Sequence, residues 1–303
     1  MREGSRWLVA TGAQGLVAIA LLSGRPLESF DASPSDPVGI QPPHLLGLGL
    51  SGVTPDGEGH FWAVSEDRRE LYRVDGSWST VSLPGISIAG ISPELEPESA
   101  AWLGGDWVAL GTEIDLARDE DTLLIVELRG EHAAVVGSSI VSWRSMLGLS
   151  APPNQGIEGL CASESTILAA AEFVIEAEGQ RLAALVRAPH HDGVVGEWQP
   201  VLLRLTSDSG KLSALDCTED RDRDLDVLAV ERHYGVTRVL RFTVPRFSDG
   251  VVLPEIVRDV SAVRSDLPNI EGIALGTERI LMLSDHEPDS RRGPTELLII
   301  EAY

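Results

Sequence analysis

Two short stretches of the chain, more than a hundred residues apart, place a glutamate inside an apolar run. They are NQGIEGLCAS, which contains Glu158, and PNIEGIALGT, which contains Glu271. A carboxylate in an otherwise apolar strand costs free energy unless it is hydrogen-bonded, protonated or neutralised by a cation. Its repetition in a similar context predicts a site that uses the negative charge. Carboxylate oxygens suit hard cations such as Ca²⁺ and Mg²⁺ better than zinc.

Three further segments align with these two, and the aligned residues are called the first-tier positions: Ser51, Glu98, Glu158, Asp216 and Glu271. Consecutive positions are 47 to 60 residues apart. Fourteen or fifteen residues after each of them comes an acid, and these acids are called the second-tier positions: Glu66, Glu113, Glu172, Glu231 and Asp285. That spacing covers a strand, a turn and the returning strand, so we expect both tiers at the same end of each unit.

Short apolar runs such as HFWAVSE, TLLIVEL and RILMLSD, separated by Gly, Pro, Asp and Asn, indicate an all-β protein. Five copies of one unit favour a β-propeller, whose blades are four-stranded antiparallel sheets. We predict a single propeller domain over residues 1–303 with six blades, five being the alternative. Residues 5–33 match no copy, and we expect them to build or close the sixth blade by pairing with the C-terminal segment.

The first strand of a propeller blade usually lines the central channel, so the first-tier acids are expected to form a ring at one mouth of it. The predicted metal ligands are acids and amides of these strands: Glu98, Glu158, Asp216, Glu271, Asn154 and Asn269. A divalent cation, Ca²⁺ rather than Mg²⁺, would neutralise the ring. The alternative is that each acid accepts hydrogen bonds from backbone N–H groups where two blades meet, a use that would also recur once per blade.

Two histidines lie next to second-tier acids. His233 follows Glu231 by two residues, and His286 follows Asp285 directly. A histidine beside a carboxylate can act as a general base, so these four residues are the catalytic candidates. The alternative for both histidines is an exposed loop position. No Gly-x-Ser-x-Gly segment occurs, which disfavours the serine mechanism of α/β-hydrolases.

The composition restricts the partners. The chain has 47 acidic and 24 basic residues and a formal net charge of −23, which excludes a nucleic-acid or anionic membrane surface as the expected partner. No apolar run reaches the roughly 18 residues of a membrane helix. We expect a small-molecule substrate or ligand, with a protein partner as the alternative, and a monomer.

The sequence leaves the compartment open, with a cytoplasmic location slightly favoured. The N-terminal stretch MREGSRWLVATGAQGLVAIALLSG has a basic start, but Gly12, Gln14 and Gly15 interrupt its apolar run. We therefore predict a β-hairpin here rather than a signal peptide. Cys161 and Cys217 do not make a disulfide framework by number or spacing, and buried free thiols are the expectation.

Three stretches carry a resemblance to a known family: NQGIEGLCAS, NIEGIALGTERILMLSDHE and LSGVTPDGEGHFWAVSED. They resemble the phytase-like esterase propellers, and the similarity spans roughly residues 48–303. The resemblance implies a six-bladed propeller, related in outline to the calcium-binding lactonase propellers, and a hydrolase of ester, lactone or phosphoester substrates. The chain departs from the family pattern at Asp216 and at Glu98, where no glycine follows. A non-catalytic propeller with a structural cation is the second hypothesis.

Overall fold

The computed structural model describes residues 38–40, 48–75, 81–233, 235–247, 250–264, 269–276, 279–284 and 296–301. Residues 36–303 form one compact unit. The described part of the chain is almost entirely β-strand, with one short helix, α1 (Trp143–Leu147). None of its helices has the length and hydropathy of a membrane span. Residues 5–33, on which the hairpin and the sixth blade were predicted, lie outside the described residues.

The strands form units of four antiparallel strands that follow one another along the chain. The outer strands of the first two units also pair in parallel, Ile88 with Ala133 and Ala89 with Ala134, which joins these two units into one eight-stranded sheet. The first strand is β1 (Val38–Ile40). Blade 1 then contains, from inner to outer strand, β2 (Leu50–Pro55), β3 (His60–Ser65), β4 (Glu70–Asp75) and β5 (Ile86–Ala89). Blade 2 contains β6 (Glu96–Gly104), β7 (Trp107–Glu113), β8 (Glu120–Arg129) and β9 (His132–Ser142).

Blades 3 and 4 continue this pattern with two small additional strands. Blade 3 contains β10 (Ile157–Ala162), β11 (Thr166–Ala177), β12 (Gln180–His191) and β14 (Gln199–Arg204), and β13 (Val194–Val195) pairs with the end of β12. Blade 4 contains β15 (Lys211–Glu219), β16 (Leu225–His233), β17 (Val236–Val244) and β19 (Glu255–Asp259). Between the last two strands, β18 (Val251–Val252) pairs in parallel with β14 of blade 3.

Blade 5 is completed by the start of the described chain. It contains β20 (Ile270–Leu275), β21 (Arg279–Ser284) and β22 (Leu297–Glu301), and β1 is its outer strand. The inner strands β2, β6, β10, β15 and β20 contact one another in this order, and β20 contacts β2. The described residues thus form a closed cycle of five blades. This matches the alternative count, and they contain no sixth blade to support the preferred count of six.

The apolar core is divided among the junctions between blades. Five clusters of buried side chains are present, one at each junction of neighbouring blades. The cluster between blades 3 and 4, for example, joins Leu168 and Leu185 to Leu215 and Leu240. Each fully buried Leu contributes about 1.5–3 kcal/mol. The packing therefore fixes each inner strand beside its neighbours and leaves one set of strand ends around the axis.

The two cysteines form a disulfide, so the prediction of free thiols is wrong. Cys161 lies on β10 and Cys217 on β15, and their Cα atoms are 5.7 Å apart. A sequence separation of 56 residues gave no sign of this pairing. The propeller creates it, because the inner strands of blades 3 and 4 are neighbours. The bond links these two blades covalently close to the axis.

Candidate functional site

Each inner strand has an irregularity in its pairing at the same place. The register shifts between Leu50 and Val53 in β2, and across one residue in each of the other four: Glu98, Glu158, Ser213 and Glu271. Such β-bulges turn a side chain out of its usual direction and are frequent beside functional sites. The first-tier side chains are therefore set apart from the alternating pattern of their strands.

Ser213, rather than Asp216, occupies the first tier in blade 4. The bulge of β15 lies between Leu212 and Ala214, three residues before Asp216. The Asp216 carboxylate accepts hydrogen bonds from the backbone N–H groups of Leu275, at 2.6 Å, and Cys217, at 2.8 Å. Asp216 thus has the backbone-binding role that was the alternative for the whole ring. The matching signal in the sequence was Leu-Ser-Ala-Leu, which aligns with Ile-Glu-Gly-Leu around Glu158.

The small residue after a first-tier position is required by the close approach of inner strands. A Cβ on Gly52 would lie 2.5 Å from the backbone nitrogen of Ala100 in the next inner strand. A Cβ on Gly272 would lie 2.8 Å from the Val53 side chain. The glutamate and glycine in each repeated stretch therefore have separate roles. The glycine allows neighbouring blades to meet, and the glutamate supplies a carboxylate near the axis.

Three blades meet at Ser51. Its hydroxyl lies 3.0 Å from Glu98 Oε2 and 3.3 Å from Glu271 Oε2, so it can donate to one carboxylate at a time. Glu158 and Glu271 line one narrow space between the inner strands, together with Gly52 and Gly272, and this space is too small to hold a water molecule. The expectation that these two glutamates face a common space is consistent with this arrangement.

The second tier is acidic in the first three blades and basic in the fourth. In each of these three blades, one residue of the second strand pairs with the last inner-strand residue before the bulge. The second-tier acid is the next residue along the chain: Glu66, Glu113 or Glu172. In blade 4 Glu231 is that pairing residue, opposite Leu212, and Arg232 therefore takes the second-tier position. The sequence alignment missed Arg232 because the residue before it is an acid. Asp285 and His286 lie outside the described residues.

Among the described residues, the carboxylate of Glu231 accepts all its hydrogen bonds from one turn. Its side chain is 0% exposed, and its carboxylate accepts hydrogen bonds from the backbone N–H and hydroxyl groups of both Thr206 and Ser207. With four donors on it, this carboxylate has no lone pair facing the axis for proton transfer. Glu231 thus holds the loop between β14 and β15 in place, and its catalytic role stays a prediction.

Two basic side chains lie on one side of the acidic cluster. Arg232 Nη2 lies 2.8 Å from Glu271 Oε1 and 3.7 Å from Glu172 Oε1, and Lys211 forms an ion pair with Glu172. Asn269 Nδ2 also donates to Glu271 Oε1. Asn154, by contrast, is exposed four residues before Glu158, where its backbone N–H donates to the Ile114 carbonyl. Of the two predicted amide ligands, Asn269 contacts a ring carboxylate.

Glu158 carries the least compensated charge of the ring. It is 6% exposed, and its Oε2 has no hydrogen-bond partner among the described residues. Burial raises the pKa of Glu158 well above its usual range, and the negative charges of Glu172 and Glu271 raise it further. The Glu158 carboxyl group is therefore either protonated or ionised with a cation beside it.

The neighbouring acids also have raised pKa values. Burial is the largest cause for Glu98, followed by the charges of Glu158 and Glu66, and its pKa lies well above the usual range. Burial raises the pKa of Glu66 to about 7, although a hydrogen bond with Glu98 opposes the shift. Burial likewise raises the pKa of Glu113 to about 7, partly offset by the Gly156 N–H, 3.3 Å from its Oε2.

Two groups of three carboxylates are close enough to share an ion. Glu66, Glu98 and Glu271 each place an oxygen within 4.8 Å of the others, and so do Glu96, Glu98 and Glu113. All these ligand atoms are carboxylate oxygens, the donor type of Ca²⁺ and Mg²⁺. The Glu158 oxygen has no partner among the described residues, and the raised pKa values show that ionising these carboxylates together is costly without a cation. The donor set thus fits a hard divalent cation.

His233 ends β16, directly after Arg232. Burial lowers its pKa, and the charges of Lys211, Arg232 and Arg181 lower it further. The imidazole is therefore neutral at neutral pH and able to accept a proton. The charge of Glu172 opposes this shift, and the role of His233 as a base stays a prediction.

Most of the chain matches the model of a known protein family. The model of the family Phytase-like, described as "Esterase-like activity of phytase", matches residues 47–287. The chain belongs to this family. The match runs from the strand that carries Ser51 past the end of β21, so it includes blades 1 to 4 and two strands of blade 5. No curated protein matches this phytase-like chain.

Solved structures are similar to the phytase-like chain at low sequence identity. The aldose sugar dehydrogenase from Streptomyces coelicolor is 11% identical, with a TM-score of 0.48, covering 89% of this chain and 100% of that chain. A luciferin-regenerating enzyme is 10% identical, with a TM-score of 0.43, covering 88% of this chain and 95% of that chain. A streptogramin B lyase is 8% identical, with a TM-score of 0.36, covering 88% and 98%. Likeness at this level says nothing about activity.

Proposed function

We propose that this phytase-like propeller is a divalent-metal-dependent hydrolase of ester, lactone or phosphoester substrates, with its site at the acidic mouth of the central channel. The observation that carries the proposal is the Glu158 carboxylate, which is buried and has an oxygen without a partner among the described residues. Glu66, Glu98 and Glu271 would hold the cation, with Glu158 adding negative charge beside them. Ca²⁺ is favoured over Mg²⁺ because crowded carboxylates suit its larger and more flexible ligand shell.

When bound, the cation would polarise the carbonyl or phosphoryl oxygen of the substrate. The neutral imidazole of His233 is the residue suited to take a proton from an attacking water molecule. The imidazolium formed in this way can pass the same proton to the leaving group, so the step needs no second acid. Glu66 and Glu98 would be ionised when they hold the cation, and the proton that Glu66 holds at its raised pKa of about 7 would be released on binding.

The test is hydrolysis of 4-nitrophenyl acetate and 4-nitrophenyl phosphate by chelator-treated protein, with and without added Ca²⁺ or Mg²⁺. We expect turnover that is lost with chelator, restored by Ca²⁺ and absent in Glu98→Gln. Glu131→Gln is the matched control, because Glu131 is exposed in the turn between β8 and β9. Turnover that is equal with chelator and in Glu98→Gln would refute metal-dependent hydrolysis at this site.

The alternative is a non-catalytic propeller in which the ion is a structural plug. It is favoured by the narrowness of the space on the axis, which Glu158, Glu271 and the inner strands line closely. In that case no ester or phosphoester is hydrolysed, and Ca²⁺ raises the melting temperature without conferring activity. Binding of a partner that survives Glu98→Gln would favour this second function.

A further inference from the structure

Blade 4 breaks the acidic pattern in both tiers at once. Blades 2 and 3 each carry a glutamate in the first and second tier, whereas blade 4 carries Ser213 and Arg232. The change removes two carboxylates and adds one permanent positive charge, since a guanidinium does not lose its proton in proteins. The charge of the cluster is therefore distributed unevenly around the axis.

Arg232 bridges the blades on either side of its own. It is 9% exposed, and its Nη2 lies 2.8 Å from Glu271 Oε1 on blade 5 and 3.7 Å from Glu172 Oε1 on blade 3. A buried cation between two acids neutralises most of their charge locally. Glu172 and Glu271 thus have a counter-charge that belongs to the chain itself.

The contact with Arg232 also orients Glu271. Oε1 of Glu271 accepts hydrogen bonds from Arg232 and Asn269, while Oε2 lies beside Ser51 Oγ, which also contacts Glu98. The Oε2 side of the Glu271 carboxylate therefore faces blades 1 and 2. There it belongs to the group that Glu66 and Glu98 complete.

We propose that Arg232 is the built-in cation of the ring. It occupies the place that a divalent cation would take between Glu172 and Glu271, and it directs Oε2 of Glu271 towards the Glu66–Glu98 side. The inference rests on the proposed cation site and adds the residue that sets its affinity. Arg232 is a positioning and specificity-determining residue in this role, because it touches a ligand of the ion.

The test compares Arg232→Gln with Arg241→Gln by calorimetric titration of chelator-treated protein with CaCl₂. Glutamine keeps an N–H donor for Glu271 but removes the charge. Arg241 pairs with Asp226 at the opposite end of β16, so its change alters the net charge equally but far from the ring. We expect Arg232→Gln to bind Ca²⁺ about tenfold more tightly or to take up a second ion, because a like charge has been removed. Arg241→Gln and the charge-conserving Arg232→Lys should match the wild type.

Melting temperatures give a second readout that a purely structural role would not produce. Arg232→Gln should melt lower than the wild type in chelator and recover with Ca²⁺, so that its calcium-dependent rise exceeds that of the wild type. Equal calcium-dependent rises and equal affinities would overturn the inference. Should Arg232→Gln fail to fold, the charge-conserving Arg232→Lys decides, since the wild-type affinity for Ca²⁺ is required and a changed affinity would overturn the inference.

The same titrations separate this inference from the proposed function. Binding by Arg232→Gln without binding by the wild type would refute the wild-type cation site and support the role of Arg232 as the resident cation. Binding by the wild type that Arg232→Gln leaves unchanged would refute the role of Arg232 alone. Absence of binding in both proteins would overturn both.

Discussion

Glu158 and Glu271 line the same narrow space, yet of the two only Glu271 forms an ion pair among the described residues. Glu271 Oε1 lies 2.8 Å from Arg232, whereas Glu158 Oε2 has no partner among the described residues. The two glutamates lie in equivalent sequence contexts, but the charge of Glu271 is compensated by Arg232 and that of Glu158 has no ion pair among the described residues. Replacing each by glutamine should therefore have opposite effects on the cation-free protein.

Glu158→Gln should stabilise the protein in chelator at pH 8. Burial and the charges of Glu172 and Glu271 make the ionised form of this carboxylate costly, and a neutral amide removes that cost, by about 1–3 kcal/mol. Thermal unfolding in EDTA measures the effect, with Glu131→Gln as the exposed control. A lower melting temperature than the wild type would mean that the carboxylate contributes a structural contact, against the proposed cation site.

Glu271→Gln should destabilise the protein in chelator. The substitution leaves Arg232 with a weaker buried partner, and breaking one side of a buried ion pair costs about 3–5 kcal/mol. Denaturant unfolding of the two single variants in EDTA compares them directly. If Glu271→Gln is as stable as the wild type, the ion pair with Arg232 does not neutralise the carboxylate.

The double variant tests the ring as a cation site. Glu158→Gln with Glu271→Gln should lose the calcium-dependent rise of the melting temperature, because ion binding stabilises only the folded state that binds it. A wild-type melting temperature that is the same in calcium, magnesium and chelator would refute the site. The acids would then serve as hydrogen-bond acceptors where blades meet, as Asp216 does.

The stability of the cation-free protein should fall as the pH rises from about 5 to about 8. Burial raises the pKa of both Glu66 and Glu113 from 4.5 to about 7, so the folded state binds more protons than the unfolded state between these values. Stability is full below the unfolded pKa and declines as the pH passes through the folded pKa. Melting temperatures in EDTA across this range measure the decline, which Glu113→Gln should flatten. A rise with pH would contradict the shifts.

The sequence predicted the class of fold and most of the acidic ring for a physical reason. Glu98, Glu158 and Glu271 recur with the strand and turn lengths of a blade, and that spacing is local information. Blade 4 could not be placed in this way, because its first tier is Ser213, and Asp216 offered a more obvious acid three residues later. A bulge position depends on the pairing register, which the apolar pattern around Leu212 does not reveal.

Relationships between blades were the other part that the sequence did not show. The Cys161–Cys217 disulfide and the ion pair of Arg232 with Glu271 both join different blades. Each depends on which inner strands are neighbours and therefore on the number of blades that close the cycle. Local patterns do not contain that number, which is also why six blades seemed preferable to five.

Glu231→Ala should destabilise the protein strongly and leave cation binding unchanged. The variant removes the acceptor of four hydrogen bonds from Thr206 and Ser207 and leaves buried donors without partners, a loss of about 2–4 kcal/mol. Denaturant unfolding and calcium titration measure the two quantities separately. A variant of normal stability with altered catalysis would support Glu231 as a catalytic candidate.

Replacing both cysteines by serine should lower the free energy of unfolding by about 4 kcal/mol, because the disulfide restricts a long loop of the unfolded chain. The pair spans 56 residues and joins β10 to β15, so its loss should loosen the junction between blades 3 and 4. Denaturant unfolding with and without reductant measures the difference. Thiol alkylation of denatured protein is the control, since both cysteines should react only after reduction. Reaction of both thiols without reductant would show free cysteines, and the stability of the serine variant should then equal that of the wild type.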